Sequence, residues 1–193
     1  MKNKKIGLCI TGSYCTFAKL LPHLKTLADG GNELYPVFSF AVADTDTRFY
    51  LAADFRKDIV AICGREPVTT IAGAEPFGPA NPMDIMMIAP CTGNTLAKLN
   101  HAITDTPVLM AAKAHLRNGK PLLIAVSTND GLSNNAKNLG ELLHKKNIYF
   151  VPFSQDNYID KTNSLVAHYE LLEEAADAAL QHRQLQPVIK ERL

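Results

Sequence analysis

The sequence has no excess of charge of either sign. Its 193 residues include 20 Lys and Arg against 19 Asp and Glu, which gives a formal net charge of +1. Nucleic-acid-binding domains usually carry a clear surplus of basic residues, so this balance argues against a nucleic acid as the partner. Hydrophobic residues make up 47% of the chain and charged residues 20%, which is typical of one globular domain with a sizeable core.

Long hydrophobic runs are also missing. Three lysines lie among the first five residues, but Thr11, Gly12 and Ser13 interrupt the apolar residues that follow. No segment therefore has the length of a signal-peptide core, and no apolar run is long enough to cross a bilayer. We expect a soluble protein of the cytoplasm that makes no membrane contact.

Metal-binding patterns are absent as well. The four cysteines form no C-x-x-C pair, and no two histidines have a metal-binding spacing with an acidic partner, so we predict no metal site. Cys9 and Cys91 fall at or just after predicted strands, where a reduced cysteine packs as a small hydrophobic side chain. Cys15 and Cys91 also lie in the polar loops considered below, which keeps them as candidate site residues.

The chain does contain a regular alternation of strand and helix patterns. The predicted strands are 6–10, 34–42, 84–90, 121–127 and 148–153, with a further short one at 68–72. The predicted helices are 14–31, 47–64, 94–103, 106–119, 132–147 and 161–183. This order predicts a mostly parallel sheet covered on both faces. We expect a single doubly wound three-layer α/β domain, Rossmann-like or flavodoxin-like, over residues 1–183, followed by a C-terminal tail, 184–193.

Polar residues follow three of the predicted strands, where ligands bind in such sheets. In the first loop Gly12 would let the backbone approach a ligand, and Ser13 with nearby amides would face an anion at the helix start. The pattern is not G-x-G-x-x-G, and a plain turn with a serine cap is the alternative. The other two loops carry the polar residues Thr92, Asn94, Thr95, Ser127, Thr128 and Asn129.

The second loop has more polar groups than a helix cap requires. One side chain suffices for capping, whereas Thr92, Asn94 and Thr95 stand together beside Gly93. Such a set suits a polar ligand lying across the loop, and the alternative is an elaborate helix cap. For the third loop, residues 127–129, the alternative to a ligand site is a turn with an N-cap. Together the loops predict a crevice of neutral hydrogen-bonding groups, without a Lys or Arg clamp. It suits a phosphate-bearing cofactor with a flat polar ring better than a triphosphate that needs magnesium.

Residues 84–109, DIMMIAPCTGNTLAKLNHAITDTPVL, resemble the signature of the flavin-binding flavoprotein family that includes cysteinyl decarboxylases and flavin prenyltransferases. The TGS loop and the strand order extend the resemblance over most of the chain. It implies flavin mononucleotide (FMN) as a cofactor, a homo-oligomer that is a trimer or a multiple of one, and Asp105 at a subunit contact. The residues it assigns to the cofactor site are Gly12, Ser13, Ser39, Thr92, Asn94, Thr95, Ser127, Thr128 and Asn129.

A closer resemblance within the family, most evident over residues 121–157, implies a small dicarboxylate as substrate. It also implies that the partner is an NADP-binding dehydrogenase and that the location is the mother cell of a sporulating bacterium. The family's decarboxylases carry a catalytic histidine before the strand that leads to the Asn-Thr loop, but residues 73–84 contain none. Their Pro-x-Met-Asn clamp is replaced by AVSTNDG. We assign no catalytic residue, and a stand-alone flavin-dependent enzyme and a non-catalytic assembly partner stay open as alternatives.

Overall fold

A computed structural model describes residues 1–78, 80 and 82–191. In this part of the chain the strands are β1 (Lys5–Ile10), β2 (Glu33–Phe38), β3 (Ile85–Cys91), β4 (Leu122–Thr128), β5 (Ile148–Phe150), β6 (Phe153–Asn157) and β7 (Lys161–Ala167). The helices are α1 (Phe17–Asp29), α2 (Phe40–Asp44), α3 (Ala52–Cys63), α4 (Ile71–Ala74), α5 (Gly93–Asn100), α6 (Pro107–Leu116), α7 (Ala136–Leu143) and α8 (Leu172–Leu180). None of the described helices has both the length and the hydrophobicity to cross a membrane.

The strands form one mostly parallel sheet. Its order is β2-β1-β3-β4-β7-β6, and β5 pairs with the first half of β4. The pairs among β1 to β5 are parallel, whereas β7 runs antiparallel to both β4 and β6. The predicted doubly wound α/β domain is therefore confirmed, with an antiparallel hairpin added beside the end of β4.

Helices cover both faces of the sheet. Successive residues of a strand point to opposite sides, and in β3 the side chains on both sides are apolar and need covering. Met87 of β3 packs into the layer formed by α1, α3 and α8. Its neighbours Met86 and Ile88 pack into the opposite layer, with α5, α6 and α7. All seven residues of β3 are buried, so the centre of the molecule consists of three layers around this strand.

The prediction of one long helix at 161–183 is wrong. The chain forms β7, a short 3-10 turn at Tyr169–Leu171, and only then α8. The Asn157 side chain accepts hydrogen bonds from the amides of Ile159 and Asp160, a turn that reverses the chain into the β6–β7 hairpin. Pairing with β4 and β6 then satisfies the backbone of β7, which overrides the helical spacing of its apolar residues.

Smaller differences affect the ends of elements. The predicted strand 34–42 ends at Phe38, and α2 follows directly. The predicted helix 47–64 begins only at Ala52, because residues 45–51 form a loop. Instead of a strand at 68–72, Val68 makes an isolated bridge with Val37, and α4 follows. The predicted strand 148–153 is divided between β5 and the start of β6.

Residues 184–190 pack back against the sheet. Gln184 exchanges two hydrogen bonds with the backbone of Phe150, at 2.7 and 2.8 Å. Phe153 also pairs with Ile189 in an isolated parallel bridge. Arg192 and Leu193, the end of the predicted tail, lie outside the described residues. The domain boundary at residue 183 stays a prediction.

Candidate functional site

The loops after β1 and β3 are joined through one buried threonine. Thr11 Oγ1 donates to the carbonyl of Pro90 at 2.8 Å and accepts from the amide of Thr92 at 3.0 Å. Thr11 follows β1 directly, and Pro90 and Thr92 lie at the carboxyl end of β3. Since β1 and β3 are parallel neighbours, their loops leave the same edge of the sheet. This edge is where ligands bind in doubly wound folds.

The loops after β1 and β4 meet through two hydroxyl groups. Ser13 Oγ and Ser127 Oγ are 2.6 Å apart, and either can be the donor. Ser127 is buried at the end of β4, whereas Ser13 is half-buried. The three loops that the sequence singled out are therefore brought together at one edge.

The loops after β3 and β4 are packed against each other at Gly93. A Cβ on Gly93 would lie 2.5 Å from each of three polar atoms: Thr128 Oγ1, Asp130 Oδ1 and Asn135 Nδ2. The Asp130 carboxylate accepts hydrogen bonds from Thr128 at 2.5 Å and from Asn135 at 2.8 Å. Only glycine allows this close approach, so the loop network and the start of α5 depend on each other.

A cavity of about 340 Å³ opens between these loops, and we call it the loop cavity. Its lining consists of Gly12, Ser13, Tyr14, Cys15, Phe49, Thr92, Ser127, Thr128, Asn129 and Asp130. Six of the nine predicted site residues are among them. Of the other four lining residues, Cys15 and Asp130 belong to the loops that the sequence singled out. Tyr14 and Phe49 were not predicted as site residues.

Phe49 reaches the cavity from the loop between α2 and α3. Its side chain is 49% exposed, and the guanidinium carbon of Arg48 lies 4.8 Å from its ring centroid. The Thr47 hydroxyl accepts hydrogen bonds from the amides of Phe49 and Tyr50 at 3.2 Å, which fixes the local turn. A threonine such as Thr47 is a weak turn signal, but the sequence does not tell which cavity the turn approaches.

The other three predicted site residues have different surroundings. Thr95 is buried, and its hydroxyl is 3.0 Å from that of Thr92, whose oxygen also caps α5. Asn94 is exposed on the first turn of α5, and its side chain has no hydrogen-bond partner among the described residues. Ser39 follows β2, and its buried Oγ likewise lacks a partner in the described part of the chain. Thr95 therefore serves the helix cap, whereas Asn94 and Ser39 have unused hydrogen-bonding capacity.

This donor set fits the phosphate and ring of a flavin. The amides at the start of α5 favour an anion, and Asn94 and Ser39 offer a free amide and an unpartnered hydroxyl. A buried hydroxyl without a partner is costly unless a ligand or water satisfies it. The side chains that could hold FMN are therefore Ser13, Ser39 and Asn94, with Phe49 at the rim as an aromatic surface.

The reactive side chains near the sheet are mostly structural. Burial raises the pKa of the Cys9 and Cys91 thiols far above their ordinary value, so both stay protonated at neutral pH. His115 is buried and 2.9 Å from the carbonyl of Pro121, and desolvation lowers its pKa to about 4. Glu75 lines a separate cavity with Lys113 and Arg117. Among the described residues no cluster of His, Cys, Asp or Glu has metal-binding geometry.

Similarity to known proteins defines the class of this protein. The sequence profile of the Flavoprotein family matches residues 1–170, so the chain belongs to this family, and the resemblance found in the sequence is confirmed. The chain is 47% identical to the B subunit of dipicolinate synthase from Bacillus subtilis (strain 168) over 191 residues, 99% of this chain and 96% of that relative.

Solved structures agree with this relationship. The crystal structure of the dipicolinate synthase B subunit from Bacillus halodurans C matches with a TM-score of 0.91 and 45% identity, and the match covers 100% of this chain and 98% of that one. The FMN-dependent cysteine decarboxylase SpaF matches with a TM-score of 0.66 over 93% of this chain and 97% of that one. Its identity is only 19%, so this likeness shows a common fold alone.

Proposed function

We propose that this chain is the B subunit of a dipicolinate synthase. It would act with a dehydrogenase, similar to the A subunit of such a synthase, to convert a dihydrodipicolinate into dipicolinate. The observation that carries the proposal is the identity of 47% and 45%, over almost the whole chain, to two proteins that carry this name. The proposed location is the cytoplasm of the mother cell of a sporulating bacterium.

The proposed reaction is a two-electron oxidation. The dihydrodipicolinate ring loses a hydride to NADP⁺, which the partner dehydrogenase binds, and a proton to solvent or a base, and the ring becomes aromatic. The proposed role of this chain is to bind FMN or the dicarboxylate at the sheet edge where the loop cavity opens. The same hydroxyls and helix-start amides suit a phosphate and a carboxylate, so both ligands are compatible with the cavity.

For FMN, the side chains proposed to hold the cofactor are Ser13, Ser39 and Asn94. Bound here, FMN would supply two-electron redox chemistry. Support comes from the family and from the unpartnered Ser39 hydroxyl and Asn94 amide. A ring placed against Phe49 would gain stacking with an exposed aromatic side chain.

We also propose a homo-oligomer, a trimer or a multiple of one. Asp105, which the family resemblance places at a subunit contact, is half exposed and 2.6 Å from Lys98. Light scattering coupled to size exclusion tests this proposal, and a monomer at micromolar concentration would contradict it.

The cofactor part is tested by titrating the purified chain with FMN and recording flavin fluorescence. Asn94→Ala should weaken binding about five- to tenfold, because losing one good hydrogen bond inside a site costs about 1 kcal/mol. Asn134→Ala is the matched control, since Asn134 is also exposed but lies in the loop that precedes α7 and not on the first turn of α5. Equal affinity in both variants would remove Asn94 from the site.

The reaction is tested by mixing dihydrodipicolinate and NADP⁺ with this chain, with the partner dehydrogenase, and with both. We expect rapid dipicolinate formation only when both proteins are present. Decarboxylation of a cysteinyl substrate by this chain alone would instead support a stand-alone flavoenzyme. Stimulation of the partner by a preparation that binds neither FMN nor dicarboxylate would support a purely structural role in assembly.

A further inference from the structure

A second cavity, of about 350 Å³, lies between α1 and the β6–β7 hairpin, and we call it the lateral cavity. One wall comes from α1, through Lys19 and His23. The other wall comes from Ser154 of β6 and from residues 166–170, at the end of β7 and in the turn that follows it. The lateral cavity and the loop cavity are lined by different residues, so the chemistry of each is considered separately.

Three side chains of the lateral cavity form a continuous hydrogen-bonded series. His168 Nε2 lies 3.0 Å from Ser154 Oγ, and His168 Nδ1 lies 2.8 Å from Glu170 Oε1. An ionised carboxylate only accepts hydrogen bonds, so Nδ1 carries the ring hydrogen, and Nε2 of the neutral imidazole accepts from the Ser154 hydroxyl. A hydroxyl, an imidazole and a carboxylate in this order are the arrangement that activates a serine as a nucleophile.

Backbone contacts of the hairpin bring the three residues together. Ser154 lies in β6, which pairs with β7. His168 follows β7 directly, and its amide donates to the carbonyl of Pro152 at 2.8 Å. A 3-10 turn begins at the next residue and carries Glu170, so this carboxylate lies back against the imidazole ring. The predicted helix over 161–183 would have kept these residues apart from Ser154, which is why the sequence does not indicate the series.

The exposure of the three residues increases along the series. Ser154 is 4% exposed, His168 is half-buried, and the side chain of Glu170 is 61% exposed. A reactant therefore approaches the Ser154 hydroxyl from the lateral cavity, with the imidazole beside it. Because Glu170 is solvated, it orients the imidazole more weakly than a buried carboxylate would.

The wall formed by α1 supplies N–H groups to the same cavity. Lys19 and His23 are four residues apart on this helix, so their side chains leave it on one face. A cation or N–H donor in a nucleophilic site stabilises the negative charge that develops on a carbonyl oxygen. The cavity volume is at the lower end of the range for small-molecule sites, roughly 300–1,000 Å³, which favours a small acyl group.

We propose that Ser154, His168 and Glu170 form a catalytic triad that hydrolyses small carboxylic esters. Ser154 Oγ bonds to the ester carbonyl carbon while its proton passes to His168 Nε2, and Lys19 faces the oxyanion. The bond to the alcohol oxygen then breaks, and the alcohol leaves with the proton from His168. Water attacks the acyl-serine and gives a proton to His168, and the acid is released as Ser154 regains its proton. This activity is separate from the proposed function.

The first test is reaction of the purified full chain with a fluorophosphonate, followed by mass spectrometry of the intact chain and of its peptides. An activated serine displaces fluoride, so we expect one adduct, on Ser154, and none in Ser154→Ala. Ser133→Ala is the matched control, because the Ser133 hydroxyl donates to the backbone carbonyl of Asp130 rather than to an imidazole. It should be labelled like the natural sequence. No adduct on Ser154 in the natural sequence would overturn the inference.

The second test is hydrolysis of 4-nitrophenyl acetate, which separates catalysis from a role of the same hydrogen bonds in bracing the hairpin. His168→Gln should lower kcat/KM about 100-fold, and Glu170→Gln about tenfold, since its carboxylate is solvated. Lys19→Met should lower kcat/KM about tenfold through the lost oxyanion contact. His144→Gln, at an exposed position after α7, should change nothing.

Glu170 and Lys19 are exposed, so loss of folding cannot account for slower hydrolysis in their variants. Hydrolysis that persists in Ser154→Ala, or equal fluorophosphonate labelling of the natural sequence and His168→Gln, would overturn the inference and leave the series as a structural brace. Neither assay uses FMN or the partner dehydrogenase, so the proposed function is tested separately.

Discussion

The parallel part of the sheet and the β6–β7 hairpin contribute opposite kinds of chemistry to one edge. The loops after β1, β3 and β4 carry short, mostly neutral side chains that bond to one another, as in the 2.6 Å contact between Ser13 and Ser127. The hairpin carries Asp156 and Lys161, both within reach of solvent. We call the three loops after β1, β3 and β4 the polar floor of this edge, and the β6–β7 hairpin its charged wall.

Burial explains this division. β3 and β4 are covered on both faces, so the strands themselves carry apolar residues, because an unpaired charge there would be strongly desolvated. Asp130 is half-buried in the loop after β4, and Thr128 and Asn135 both donate to its carboxylate. The hairpin lies at the sheet margin, where water solvates a lysine at little cost.

The largest expected effect tests how rigid the floor is. Gly93→Ala places a methyl group 2.5 Å from three polar atoms of the loop after β4, and we expect a loss of about 3 kcal/mol in the free energy of unfolding, as in other overpacked sites. Urea denaturation measures it. Helix propensity alone predicts the opposite sign, because Ala is favoured over Gly in a helix by roughly 1 kcal/mol.

Gly140→Ala is the matched control. Gly140 lies in α7, and a Cβ there would meet no atom within 4 Å, so the same substitution should stabilise the protein by roughly 0.5–1 kcal/mol. A comparable gain at Gly93 would show that the loops after β3 and β4 are not locked together.

Sequence reasoning worked best in the parallel half. The apolar runs that became β1, β3 and β4 are bounded by polar loops, and both the strands and the converging loops could be predicted from that pattern. The roles of individual polar residues could not. Thr95 and Asn94 are neighbours of similar polarity, yet Thr95 is used by the helix cap and Asn94 is exposed, because helical geometry points them in different directions.

The hairpin could not be predicted for a physical reason. Leu165, Leu172 and Ala176 have a spacing that fits one helix, which is why the sequence predicts a helix over 161–183. Leu165 instead belongs to a strand, since β4 and β6 offer backbone partners on both sides of β7. Pairing of β7 with the distant β4 leaves no local signal, and the turn at Asn157 within the hairpin is a short polar stretch just before the predicted helix.

Acid should lower the free energy of unfolding, because of a buried histidine beside the parallel strands. His115 on α6 has its pKa lowered to about 4 by burial, from 6.5, so the unfolded chain binds a proton more readily between these values. Its stabilising contribution is complete above about pH 6.5 and is lost as the pH falls towards 4, by up to roughly 3 kcal/mol. Urea midpoints at pH 7.5 and 4.5 measure this loss.

His115→Gln removes the titrating group and should flatten that pH dependence. His101→Gln, at an exposed position after α5, should leave it unchanged. A pH dependence in His115→Gln as steep as that of the natural sequence would assign the acid sensitivity to another part of the molecule.

The smallest of these effects measures how firmly the wall is joined to the floor. A Cβ on Gly131, in the loop after β4, would lie 2.6 Å from Leu165 Cδ1 and 2.7 Å from its Cγ. Gly131→Ala should therefore cost about 1–2 kcal/mol in the free energy of unfolding. Leu165→Ala alone should cost about 2–3 kcal/mol, because Leu165 is buried. In the double variant the two losses should fall short of their sum by at least about 0.5 kcal/mol, since truncating Leu165 removes the atoms that the new methyl group meets. Strict additivity would mean that the hairpin can shift away from the loop that follows β4.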